Sequence, residues 1–231
     1  MTPPAPRFWR YESQGASHPI MSFGPERGEQ LLIVPPLFEE LNRTRKLISD
    51  VMRALAARAI GTHLPDLPGT GESEKELGDV AWPDWRYAVA DAATASGATR
   101  LLAIRGGCLL DDALPARPHM RFSPVEGKRL IRDLIRARSL TDDDFDSDAQ
   151  KTVFAGQATM LGGYPIGASL ACSFRDAVYP ALDDVMTVRL ETEHGDADAK
   201  IAGPPLWRRA EPRGSAELTE TLAVTIIDWT G

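Results

Sequence analysis

The chain is expected to fold as an α/β domain with a mostly parallel central sheet flanked by helices. Three observations carry that expectation. Strand-like and helix-like segments alternate along the chain, the pattern of parallel strands joined by crossover helices. Residues 31–34 are an uninterrupted apolar run stopped by Pro35-Pro36, as expected of a strand buried on both faces. Residues 101–104 form a second such run, which enters a tight turn, Arg105-Gly106-Gly107. With 231 residues, 43% of them hydrophobic, the chain suits one domain with a substantial core.

The elements follow in order. Residues 8–11 and 20–23 read as two opening strands, paired in a hairpin that turns near Gly15. After the 31–34 strand, Leu47, Ile48, Val51, Met52 and Leu55 recur at helical spacing, with Gly61 as the C-terminal stop. Residues 62–64 read as a short strand running into the turn-rich loop Asp66-Leu67-Pro68-Gly69-Thr70-Gly71-Glu72-Ser73. Trp82, Trp85 and Val89 share one face of a helix that ends near Gly97, which places them in the core rather than on a sugar platform. The 101–104 strand follows, then a short helix limited by Pro115. Residues 119–125 read as a strand, and 128–139 as a basic amphipathic helix with Leu130, Ile131, Leu134 and Ile135 on its apolar side. Its arginines read as a solvated face, or alternatively as a surface for an acidic partner or a polysaccharide. Residues 142–148 read as an acidic solvated loop, 170–178 as a helix and 186–190 as a late strand. Ser215 is placed to cap a last helix running toward Trp229, although the β-branched run Val224-Thr225-Ile226-Ile227 leaves a strand as the alternative.

Composition excludes several classes of function. A net charge of −7 argues against a general binder of nucleic acid or membrane surfaces and leaves room for a local basic patch. Two cysteines, Cys108 and Cys172, make no disulfide framework and suit a reducing, cytoplasmic setting. No apolar run is long enough to span a membrane, and residues 1–7 are Pro-rich rather than signal-like. His18, His63 and His119 lack metal-ligand spacing, so neither a metal nor a cofactor is expected.

Three successive segments resemble the α/β-hydrolase superfamily: the Pro-Pro loop after a central strand, the loop 66–73 in the manner of D-x-P-G-x-G-x-S, and the turn 103–107 in the register of G-x-S-x-G. A narrower resemblance is to exosortase A system-associated hydrolases, proteins found with bacterial exopolysaccharide and PEP-CTERM sorting loci. It is carried by Pro35-Pro36-Leu37-Phe38-Glu39-Glu40-Leu41-Asn42-Arg43-Thr44-Arg45, Ser123-Pro124-Val125-Glu126-Gly127-Lys128, Gly163-Tyr164-Pro165-Ile166 and Gly203-Pro204-Pro205-Leu206-Trp207. Ala103, Ser123 and Leu206 depart from that pattern. The resemblance implies an α/β-hydrolase-like domain over 1–231, with a small helical cap at about 128–164, and an arginine at the elbow.

An elbow arginine changes the chemistry. Arg105 occupies the nucleophile position, and a guanidinium stays protonated and cannot attack an acyl group. The expected site of the triad histidine reads Gly203-Pro204-Pro205, which offers no base. Glu191, Glu193 and Asp196 lie where the triad acid belongs, without a histidine to orient. The weak candidates for residual catalysis are Cys108, three residues past Arg105, and His194. The expected binding residues are Arg105, the backbone of Gly106, Glu39, Glu40, Asn42 and Asp66. Arg105 would either fork a carboxylate or phosphate, or pair internally with Glu39, Glu40 or Asp66. Asn42 alternatively caps the helix that follows it. The sequence therefore predicts a catalytically degenerate protein that binds an anionic or carbohydrate-like ligand. An unusual hydrolase, or an interaction module with a protein partner or a second copy of itself, stands as the alternative.

Overall fold

A computed structural model describes residues 5–209 and 211–231. Strands β1 (Arg7–Ser13) and β2 (Ala16–Phe23) form the antiparallel opening hairpin, turned by Gln14 and Gly15 at φ 49° and 76°. Strands β3 (Gln30–Val34), β4 (Gly61–Pro65), β5 (Arg100–Ile104), β6 (His119–Phe122), β9 (Val185–Leu190) and β10 (Ala199–Ile201) run parallel to one another. The eight-stranded order is β1-β2-β4-β3-β5-β6-β9-β10. A separate two-stranded hairpin joins β7 (Thr159–Leu161) to β8 (Tyr164–Ile166).

Alternate side chains of the central strands feed two cores. Leu32, Val34, Leu101 and Ala103 enter one with helix α2 (Trp82–Ser96), and Leu31, Ile33, Leu102 and Ile104 enter the other with helices α1 (Glu39–Ala56) and α6 (Ala216–Thr230). Burial of both faces is why these strands read as continuous apolar runs. Ser215 caps α6, accepting a hydrogen bond from the Leu218 amide at 3.2 Å. Leu218, Leu222 and Ile226 line the buried face, so helical spacing prevails over the β-branched run.

Several expectations are corrected. Between β6 and β9 the chain forms α3 (Gly127–Ser139), α4 (Ser147–Thr152), the β7–β8 hairpin and α5 (Ala168–Asp176), so this insertion is mixed rather than helical and runs past residue 164. Its strands are three residues long, too short for a period-2 signal. After β5 there is no α-helix, only two 3₁₀ turns, Arg105–Leu109 and Asp111–Ala113. A Cβ on Gly107 would stand 2.5 Å from the Val34 carbonyl oxygen and 2.6 Å from that of Pro35, so the turn runs hard against another chain segment. The elbow therefore lacks the full helix N-terminus that would have added positive potential there. Asn42 is not a cap, because α1 begins at Glu39 with Phe38 in the N-cap position at φ 57°. Gly61 starts β4 rather than stopping α1, and Ala59 at φ 60° makes the left-handed turn.

Candidate functional site

Five segments converge at the carboxyl edge of the sheet. Arg105 leaves β5 at φ 54°, Glu40 comes from the first turn of α1 and Ser123 follows β6 at φ 50°. Glu193 lies between β9 and β10, and Trp207 in the 3₁₀ turn Leu206–Arg208. A left-handed backbone at a non-glycine residue costs about 1–3 kcal/mol and persists where its surroundings over-determine it. Arg105 is 4% exposed. Its Nε and Nη2 donate to Glu40 Oε2 and Oε1 at 3.1 and 2.8 Å, a bidentate fork. Nη1 donates to the Ser123 carbonyl at 2.8 Å and lies 3.6 Å from Glu193 Oε1. The group rests 4.5 Å from the centre of the Trp207 ring. Ser123 Oγ donates to Glu193 Oε2 at 2.5 Å, and the Leu190 amide donates to the same oxygen at 3.1 Å.

This network answers the choice between a free and a paired arginine. Arg105 pairs with Glu40, with Glu193 close behind, and not with Glu39 or Asp66. The carboxylate at the expected acid position is held by Ser123 and faces a cation rather than a histidine. Pro35 and Pro36, after β3, have no N–H to offer an oxyanion, and two carboxylates follow them.

Cys108 and His194 share no hydrogen bond among the described residues. Cys108 is fully buried, and its thiol donates to the Ala103 carbonyl at 3.3 Å. Burial above all, with Asp111 adding, pushes the thiol pKa well up, the opposite of what a reactive cysteine needs. His194 is an exposed loop residue. Asp66 accepts a hydrogen bond from the Glu72 amide at 2.8 Å, which stabilises the 66–73 loop, and burial raises its carboxyl pKa. Gly106 serves packing, since a Cβ there would come within 2.8 Å of Leu130.

Arg105, Glu39 and Glu40 line a cleft of about 540 Å³ between the start of α1, helix α3 and the Leu206–Arg208 turn; Gly106, Asn42 and Asp66 do not line it. Leu37, Phe38, Leu130, Leu134 and Trp207 give it an apolar wall, and Arg43, Arg129, Arg136 and Arg208 add cations. Arg43 donates to the Trp207 carbonyl at 3.1 Å and lies 3.5 Å from Glu39. Asn42 Nδ2 donates to the Tyr164 hydroxyl and to Glu39, and Tyr164 donates to Glu39 at 3.3 Å, so β8 is tied to α1. Burial, reinforced by Glu39, pushes the Tyr164 hydroxyl pKa up to about 12. Trp82 and Trp85 pack with Phe38 and Phe174 in an aromatic cluster, with ring centres 5.1–6.2 Å apart.

Sequence reasoning passed over Ser123 and Trp207 as site members, because their roles depend on where β6 and the last turn end. It left the arginines of α3 as a solvated face. Two features of the sequence pointed toward that rim: arginines at positions 129 and 136 of one helix, and Arg208 beside a motif tryptophan. Among the described residues, no group of three His, Cys, Asp or Glu side chains is placed to hold a metal ion. No described helix is long and apolar enough to cross a membrane.

No protein-family model matches the chain, and no curated protein matches it. Solved structures do. The mouse α/β-hydrolase domain-containing protein 10 superposes with a TM-score of 0.63 at 12% identity, over 97% of this chain and 98% of its own. The AqdC variant bound to its substrate, described for ring-cleavage of the Pseudomonas quinolone signal, gives 0.60 at 13% identity over 96% and 98%. A thermophilic esterase from Thermogutta terrifontis gives 0.58 at 15% identity over 97% and 98%. With the parallel sheet, the elbow after β5 and these likenesses together, the chain has the α/β-hydrolase fold.

Proposed function

We propose that this protein binds an anionic ligand in the cleft above the elbow and does not act as a serine-type hydrolase. The observation that carries the reading is the replacement of a nucleophile by a buried, fully engaged Arg105 beneath a cleft rich in arginine. Nucleophilic acyl transfer needs a nucleophile, a base and an oxyanion site. The elbow supplies a cation, proline stands where the base belongs, and the loop after β3 supplies carboxylates. A role in exopolysaccharide or PEP-CTERM systems rests on the sequence resemblance alone. Sugar is the weaker half of the ligand expectation, since Trp82 and Trp85 are committed to the aromatic cluster.

The test pairs turnover with binding. A panel of p-nitrophenyl esters and acyl thioesters should show no turnover above buffer, and anions should raise the melting temperature. A ligand at about 100 times its Kd adds about 2.7 kcal/mol, which is several degrees for a chain of this size. Ester turnover that disappears when Ala137 in the cleft wall is changed to Trp would overturn the reading. A docking role for the cap is the second reading, favoured by Leu140 and Met160, which are 76% and 53% exposed.

A further inference from the structure

The charges around the cleft are unevenly satisfied. At its base, Arg105 is already answered by Glu40 and Glu193, so an anion placed there would meet two carboxylates. Among the described residues, Arg129, Arg136 and Arg208 have no carboxylate partner, and all three are exposed. Two acids lie near them. Glu39 is engaged by Arg43, Asn42 and Tyr164, and Asp133, which also lines the cleft, is an exposed side chain 4.0 Å from Arg132, so at the mouth three arginines face one carboxylate. The chain as a whole carries −7, so an unpaired cationic rim runs against its average charge. Between rim and base the wall is formed by Leu37, Leu130 and Leu134. Such a wall offers a sugar few hydrogen-bond partners, while it shields an alkyl chain from water at about 25 cal/mol per Å².

Resting on the reading that the cleft binds anions, we infer that its ligand is a single-chain amphiphile with a carboxylate or phosphate head. The head lies at the mouth between Arg129, Arg136 and Arg208, and the chain lies inward against the leucines. This polarity is the reverse of an anion forked by the elbow arginine. A volume of about 540 Å³ falls within the ordinary range of small-molecule sites. Charge complementarity at the rim selects an anionic head over a neutral or cationic one.

The experiment is calorimetric titration of the full chain with decanoate and with decyl phosphate, both below their micellar concentrations. Acetate, inorganic phosphate and decyltrimethylammonium serve as controls. The expected result is saturable binding of both decyl anions, with acetate and phosphate at least tenfold weaker and the cation without effect. The triple variant R129A/R136A/R208A should lose at least tenfold in affinity for the decyl anions. A137W, at an exposed position on the cleft wall, should block them while its melting curve stays that of the parent. E40Q, which takes one of the two carboxylates away from Arg105, should raise affinity by less than tenfold. Head-only anions binding as tightly as their decyl forms would overturn the amphiphile and leave the anion-binding function standing. A tenfold gain in E40Q would put the head at the elbow and overturn the polarity. Absence of binding by every anion would remove both readings. Preference for decanoate or for decyl phosphate distinguishes a carboxylate from a phosphate ligand.

Discussion

The fold contains two buried arginine–carboxylate forks of nearly the same chemistry. Arg121 in β6 donates Nε and Nη2 to Asp111 at 2.6 and 2.9 Å, gives a further hydrogen bond to the Pro180 carbonyl, and stacks 5.5 Å from the Tyr179 ring centre. Arg105 donates to Glu40 in the same bidentate manner, to the Ser123 carbonyl, and stacks on Trp207. The two differ in their surroundings. Asp111 is 0% exposed and packs near His119, while the Arg105 pair forms part of the lining of the cleft. A buried ion pair by itself therefore says little about function, since desolvation offsets much of its attraction. The void beside it, and the unpaired charge around that void, separate a lock from the base of a site.

The largest effect should follow Asp111→Ala. Removing one partner of a buried pair costs about 3–5 kcal/mol because the other charge is left uncompensated. Urea denaturation should show a loss near the top of that range, or a chain that fails to fold. A loss below about 1 kcal/mol would put Asp111 on the level of a surface pair and break the comparison. Arg105→Ala should cost less, about 2–3 kcal/mol, because Glu40 can rehydrate through the cleft, its side chain being 17% exposed already. The double variant R105A/E40A should lose less than the sum of the singles, with a coupling of about 1–2 kcal/mol. Strict additivity would mean that the fork is not the unit holding the elbow.

A third region supplies a control without an ion pair. His63 accepts from Ser22 Oγ at Nδ1, 2.7 Å away, and donates from Nε2 to Gln30 Oε1 at 2.9 Å, in the tautomer that satisfies both. Burial, with Arg7 adding, lowers its pKa to about 4. The unfolded chain then binds the extra proton first, so stability is full above the ordinary histidine range and falls as the pH drops from there toward 4. Melting temperatures across that window should fall by the equivalent of about 3 kcal/mol. H63Q should flatten that component, and an unchanged slope would mean that His63 does not carry the acid loss.

The legibility of the sequence followed the range of the interactions. Residues 31–34 and 101–104 announced central strands because both faces are buried, and Gly97 ended α2 as expected with φ 64°. β10 escaped notice because three residues carry no period, and the turns after Arg105, of five and three residues, are too short to separate a 3₁₀ from an α period. At the site, Arg105 and Glu40 were readable from motif position. Ser123 was not, since its left-handed backbone and its hydrogen bond to Glu193 exist only once β6 and β9 are paired. The cationic rim was visible as letters but not as a rim, because Arg129 and Arg208 are brought to one cleft by tertiary packing alone.

The tight passage of Gly107 beside the Val34–Pro35 backbone has a wider consequence. After β5 two chain segments cross closely at Gly107, while Arg105 stands two residues before the crossing. The apex is thus a socket whose occupant can be exchanged without rebuilding the frame. A frame able to present an attacking hydroxyl can present a guanidinium equally well, so scaffold and chemistry change by separate steps. Refitting the socket with Ser would by itself change one residue of the site, because the groups that would have to act with it belong to other loops.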